Sequence, residues 1–296
     1  MLLKKSNYQK KKDVAGMAKA YKAQEIITNN IVRATDKSGG EVLLIGKGIG
    51  YNRHKNDLIS EKAAHNIFAL KDEQEQALYK QLIRTTSLSL IELVNNVIDF
   101  IQDNVNEPIN EHIHIALTDH ISHMVRRCKM GVPLSNPFEL EIENLYPKEY
   151  EIAKDVVETL TKELAIPIPK GEISFITLHI VSACSSESLA EVSRHTHLIL
   201  KLVEIIEDNL MCKLDRKSLN YVRLVTHIRF AIERVERNEK LDAPEEFACI
   251  LKDRYKELYA LAYKLVKIMQ TELKKEVMPA EIVYLTIHLY QFAEKL

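Results

Sequence analysis

Four of the eleven histidines in this chain stand at repeated places. The stretch Glu172-Ile-Ser-Phe-Ile-Thr-Leu-His179 returns 109 residues later (179 to 288) as Glu281-Ile-Val-Tyr-Leu-Thr-Ile-His288. A second phrase, Ala116-Leu-Thr-Asp-His120-Ile, returns 107 residues later (120 to 227) as Arg223-Leu-Val-Thr-His227-Ile. Each copy of the repeat therefore carries a matched pair, His120 with His179 and His227 with His288. An imidazole can hold a metal, move a proton or accept a phosphoryl group. His112, His114, Asp119, His120 and His123 are crowded enough to suggest a metal cluster, and a helical metal-dependent phosphohydrolase would use His112, His114, Asp119 and His120. Against that, the second copy keeps only His227 of the set and has Thr226 where Asp119 stands, whereas a duplicated metal site should retain more ligands. Acid–base catalysis lacks a companion nucleophile elbow or phosphate-cradling loop, so no enzyme activity is expected. Modification of the rings needs nothing further. It exchanges a neutral imidazole for a group of about −2 charge and can tip a packed interface between two states.

The elements that position these rings are legible from periodicity. Leu88, Ile91, Val94, Ile98 and Ile101 step at helical spacing, as do Leu198, Leu202, Ile205 and Ile206. Tyr146, Tyr150, Ala153, Val157, Leu160 and Leu164 mark another amphipathic helix, and Tyr255, Tyr259, Ala262 and Leu273 repeat it. Each copy reads as a bundle of about five helices, with the boundary near Ser182 to Glu191. The two-residue difference between the repeat spacings fits a loop of altered length between the two phrases.

The front of the chain has a different texture. Residues 1–21 are Lys-rich and read as a disordered tail. Ile26, Ile27, Ile31 and Val32 flank Asn29-Asn30, Val42 to Ile45 is a short strand-like run, and Asp36 to Gly40 carries turn residues. Five of the eight glycines (39, 40, 46, 48 and 50) lie there. This predicts a small, tightly turned sheet. Gly46-Lys47-Gly48-Ile49-Gly50-Tyr51 matches neither a dinucleotide-binding nor a Walker pattern. In an RNA-binding reading, the glycines let a nucleic acid approach the main chain, Lys47 and Arg53 meet phosphates, Tyr51 stacks on a base and Asn30 reads a base edge. A plain turn with exposed charges is the alternative.

Composition agrees with this division. The formal net charge is −1, yet residues 1–55 hold 12 Lys/Arg against 4 Asp/Glu. A basic front on an acidic body suits an anionic partner. Cys128, Cys184, Cys212 and Cys249 are scattered without a Cys-x-x-Cys pair, which argues against structural zinc and disulfides. No membrane span or signal peptide is evident, so a cytoplasmic location is expected.

The order of these features resembles the BglG/SacY-type transcriptional antiterminators: a basic β-module with Asn29-Asn30 and Gly46 to Tyr51, then Leu-Thr-Asp-His120, Thr-Leu-His179, Val-Thr-His227 and Thr-Ile-His288. Asn110 to His120 and Leu145 to Tyr150 are most similar to the antiterminators of glucose-permease operons. The resemblance covers about residues 22–296. It implies a multi-domain chain, with an all-β co-antiterminator RNA-binding domain (22–76) followed by two homologous all-α phosphotransferase-system regulation domains (77–187 and 188–296). It implies a homodimer that binds an RNA hairpin overlapping a terminator through Asn30, Gly46, Lys47, Gly48 and Tyr51. The implied phosphorylation sites are His120 and His179, modified by the permease EIIB domain when sugar is scarce, and His227 and His288, modified by the phosphocarrier protein HPr. Asp119 would orient His120, and its replacement by Thr226 in the second copy would make the two modules unequal. No cofactor or metal is implied.

Overall fold

The computed structural model describes residues 20–293, apart from 30, 47, 65, 70–81, 83, 84, 111, 133, 135 and 137. The expected tail lies outside the described residues except for Ala20 and Tyr21, which already belong to a strand. Tyr21 is 7% exposed and pairs with Ile59, so burial holds the end of the tail in the sheet. The chain divides into two compact units, with the division between Leu88 and Ser89.

The first unit is a five-stranded antiparallel sheet of order β4-β1-β2-β3-β5. Its strands are β1 (Ala20–Thr28), β2 (Ile31–Thr35), β3 (Glu41–Ile45), β4 (Leu58–Ser60) and β5 (Asn66–Ala69). Val32 pairs with Leu44 and Ala34 with Val42, and these four side chains form a core with Tyr21, Ala23, Ile49 and Ile59. The β2–β3 turn is closed by Asp36, whose carboxylate accepts from the Ser38 and Gly40 amides at 2.8 Å each. Gly39 takes the positive φ of 87° that a side chain would resist. The two short edge strands β4 and β5 gave no periodic signal. Three or four residues are too few to show alternation.

The second unit holds ten helices among the described residues, five per repeat. The first repeat has α1 (Leu88–Asn104), α2 (Ile113–Lys129), α3 (Glu139–Leu145), α4 (Pro147–Leu164) and α5 (Gly171–Cys184). The second has α6 (Leu189–Leu210), α7 (Leu219–Glu236), α8 (Glu245–Arg254), α9 (Lys256–Leu273) and α10 (Ala280–Ala293). The ends match closely. Gly131 after α2 and Asn238 after α7 take φ of 70° and 53°, and Ala165 and Lys274 take 52° and 54° after α4 and α9. Gly and Asn are the residues that tolerate the left-handed region best. Between α2 and α3 the second copy gains its two residues, as the altered spacing predicts.

One continuous apolar core runs through both repeats, including Val94, Ile98, Leu117 and Ile176 in the first and Leu202, Leu224, Ile228 and Leu285 in the second. Each such side chain contributes roughly 1.5–3 kcal/mol by leaving water. At the junction, Ser188 caps α6 in a reciprocal capping box with Glu191. Just beyond it, buried His195 has Nδ1 3.1 Å from Glu187 and Nε2 3.3 Å from Glu236. Burial opposes charge on that ring, but the two carboxylates outweigh it and raise its pKa. A second link joins the repeats where Arg216 contacts Glu141 at 3.1 Å and Glu207, and its carbonyl accepts from Asn144. Among the described residues, no single helix is long and apolar enough to cross a membrane.

Candidate functional site: two histidine pairs and a glycine-rich loop

In the first repeat α2 carries His120 and α5 carries His179, and packing these helices brings the ring centroids to 4.9 Å. In the second, α7 and α10 bring His227 and His288 to 4.7 Å. A buried glutamate completes each pair. Glu172, in the first turn of α5 and 1% exposed, sits 3.0 Å from His120 Nε2 and 2.9 Å from Arg127. Glu281, 2% exposed, sits 3.3 Å from His227 Nε2 and 2.7 Å from Arg234. Both His–Glu contacts are short enough for an ion pair, yet their alignment falls outside hydrogen-bond geometry. An aromatic ring lies beside each first histidine, Phe175 at 5.9 Å and Tyr284 at 6.0 Å.

The electrostatics follow from burial and pairing. Burial opposes charge on Glu172, but His120 and Arg127 outweigh it and hold the carboxyl below its ordinary range. Burial, aided by the positive potential of His120 and His112, pushes His179 down to about 3. Burial, with His227 and Arg223, pushes His288 down to about 4. Both inner rings are therefore neutral at physiological pH and keep a nitrogen lone pair, the requirement for a nucleophile. The threonines two residues before them, Thr177 and Thr286, bond back to the helix carbonyls of Ile173 and Ile282, which keeps buried hydroxyls satisfied. A cavity of about 330 Å³ is lined by both His120, whose side chain is 14% exposed, and His179, which is 7% exposed.

Sequence reasoning missed the Glu–Arg half of this arrangement. The signal was present, since Glu172 and Glu281 recur with the helix and Arg127 and Arg234 recur 107 residues apart (127 to 234). A glutamate repeated inside an otherwise apolar helix needs a cation. The expectation for Asp119 is corrected. Its carboxylate is exposed and lies 3.5 Å from His123, one turn along the same helix, while Glu172 meets His120 from across the bundle. With Thr226 in its place, the second repeat still pairs His227 with Glu281 at 3.3 Å. The crowded metal cluster does not converge either. His114 Nδ1 faces Asn95 at 3.2 Å, and among the described residues no three potential ligands are placed to hold a metal.

In the sheet unit, Asn30 and Lys47 lie outside the described residues. Their neighbours are brought together, because the Gly50 amide donates to the Asn29 carbonyl at 2.8 Å and ties the loop after β3 to the β1–β2 hairpin. Buried Ile49 anchors that loop, and Tyr51 projects from it, 64% exposed. Gly48, at φ 68°, has open space where a side chain would stand. Gly46 also meets its own chain closely. It is buried, and a Cβ there would lie 2.4 Å from the Ala63 carbonyl, so its bareness serves close packing within the chain. Gly46→Ala should cost roughly 1–3 kcal/mol through this overpacking, read as a lower denaturation midpoint. An unchanged midpoint would remove the packing role. Arg53 is exposed and donates to the Leu58 carbonyl at 3.3 Å.

Comparison with known proteins agrees with this division. The CAT RNA binding domain model matches residues 21–77, and the PRD domain model matches 95–183 and again 200–292. The chain is 43% identical over 277 residues to the PtsGHI operon antiterminator of Bacillus subtilis, covering 94% of this chain and 99% of that one. It is 33% identical over 278 residues to protein GlcT of Staphylococcus aureus, covering 93% and 98%. The crystal structure of GlcT CAT-PRDI superposes with a TM-score of 0.52 at 41% identity, covering 56% of this chain and 99% of that one. The chain belongs to the family of transcriptional antiterminators in which a CAT RNA-binding domain is followed by two PRD domains.

Proposed function

We propose that this protein is a cytoplasmic, homodimeric antiterminator of a glucose-type permease operon. Its sheet domain (22–76) binds an RNA hairpin overlapping a terminator. Its two helical domains (77–187 and 188–296) receive phosphoryl groups from the permease EIIB domain at His120 and His179, and from HPr at His227 and His288. The observation that carries the reading is the doubled constellation of two imidazoles, a buried carboxylate and an arginine. A neutral inner ring supplies the lone pair. The N–P bond forms as the bond from phosphorus to the donor side chain breaks, and that side chain leaves with its electron pair.

The geometry also supports a switch. About two negative charges placed roughly 4 Å from Glu172 would repel it by about 8 kcal/mol at the effective dielectric of a partly shielded site. Arg127, already paired with Glu172 at 2.9 Å, is a cation able to exchange one anion for the other. The carboxylate contact between α2 and α5 must therefore rearrange when the first pair is modified.

Incubation of the full chain with phosphorylated EIIB domain, followed by mass spectrometry without acid exposure, should place phosphate on His120 and His179. Phosphate found only elsewhere would refute the site. For the RNA surface, Tyr51→Ala should weaken hairpin binding by roughly tenfold or more, the size of one lost base stack. Equal affinity in a gel-shift titration would remove Tyr51 from the interface.

A further inference from the structure

The cavity above the first histidine pair is not built by the first repeat alone. Part of its lining comes from α6, the opening helix of the second repeat, through Ser193, Thr196 and His197. These positions fall within about one helical turn and so share a face. His197 is exposed, and its Nδ1 lies 2.8 Å from the Ser193 carbonyl oxygen. A carbonyl only accepts, so Nδ1 carries a proton and Nε2 is the nitrogen left to meet a ligand. Phe138 packs edge-on against the ring, with centroids 5.8 Å apart at 76°. Held by one hydrogen bond and one aromatic contact, the imidazole has a set orientation at the wall of the cavity. In the second repeat the counterpart of Phe138 is Phe247, which is 46% exposed.

We propose that His197 binds the phosphoryl group carried by the His120/His179 pair, so that the second regulatory module completes the acceptor site of the first. This rests on the reading of the pair as a phosphoryl acceptor and names the residue that receives the group once it has arrived. A dianion beside an imidazole favours the protonated ring. His197 then takes a second proton at Nε2 from solvent and donates it to a phosphoryl oxygen. No bond to phosphorus is made or broken by His197. Its effect is to retain the modified state and to tie α6 of the second module to the event in the first.

The test uses the full chain in four forms: wild type, His197→Ala, His197→Gln and His197→Lys. Each is phosphorylated by EIIB domain, the donor is removed, and the half-life of phosphate on His120 and His179 is followed. Phosphate placed on His227 or His288 by HPr serves as the internal reference. Loss of one charge-assisted hydrogen bond should shorten the half-life at the first pair by roughly tenfold in His197→Ala and His197→Gln. His197→Lys, which keeps a cationic donor, should restore most of it, and the reference pair should not change. Equal half-lives in all four forms would overturn the proposal, as would an equal loss at both pairs, which would mark a merely structural role. Failure of wild type to gain phosphate at His120 or His179 would instead overturn the acceptor reading, and this inference with it.

Discussion

The His120→Ala/His179→Ala double variant should leave transcriptional read-through on in cells deprived of the sugar, where wild type shuts it off. Both rings are lost, so the permease has nothing in the first module to modify, and the repulsion against Glu172 never develops. Relaxation and solvent leave only part of the roughly 8 kcal/mol conflict as bias. If a quarter survives, about 2 kcal/mol, the shift between the two states is about thirtyfold. A terminator placed before a reporter reads this directly. The variant keeps the Arg127–Glu172 pair at 2.9 Å, so the bundle remains folded and the result is not confused with collapse. Repression that persists in the double variant would refute a negative role for the first module.

Arg127→Ala should cause the largest loss of stability among single substitutions at the site, about 3 kcal/mol, because it leaves a buried carboxylate without its principal cation. For a helical unit of this size that corresponds to a fall in melting temperature of roughly 6–12 °C. Arg234→Ala should do the same in the second module, where Glu281 is 2% exposed. Adding Glu172→Gln to Arg127→Ala should recover part of the loss, since the penalty belongs to the orphaned charge, and a double-mutant cycle isolates the coupling. The pH dependence has a definite sign. Glu172 titrates below its ordinary 4.5 in the folded state. Its pairing therefore stabilises above that value and is lost as pH falls through the lower folded one. The gap between wild type and Arg127→Ala should narrow in acid. A gap that widened instead would mean that Arg127 acts elsewhere.

Much of this molecule was written in local pattern. A helix announces itself through apolar residues every three or four positions, and a duplicated module through the same words at a constant offset. Four of the helical stripes, the estimate of about five helices per copy, the doubled histidines and the family resemblance all came from such short-range regularities. Asp36 to Gly40 foretold its turn because one carboxylate can satisfy several amides within five residues. The strands β4 and β5 were invisible, since Leu58 to Ser60 and Asn66 to Ala69 belong to the sheet only through pairing with distant strands.

The sequence by itself determined which residues recur, that each copy is a bundle of about five helices, and that two histidines in each copy are special. Only the tertiary structure decided which charge meets which ring. Asp119 sits beside His120 in the chain but points along the outer face of α2, because adjacent helical residues diverge by about 100°. Glu172 is 52 positions from His120 (120 to 172) and meets it because two apolar stripes pack and no water remains to shield the carboxylate. His197 reaches the same cavity from the next module. Contacts of that kind are set by which faces bury together, a property of the assembled bundle that no single helix carries.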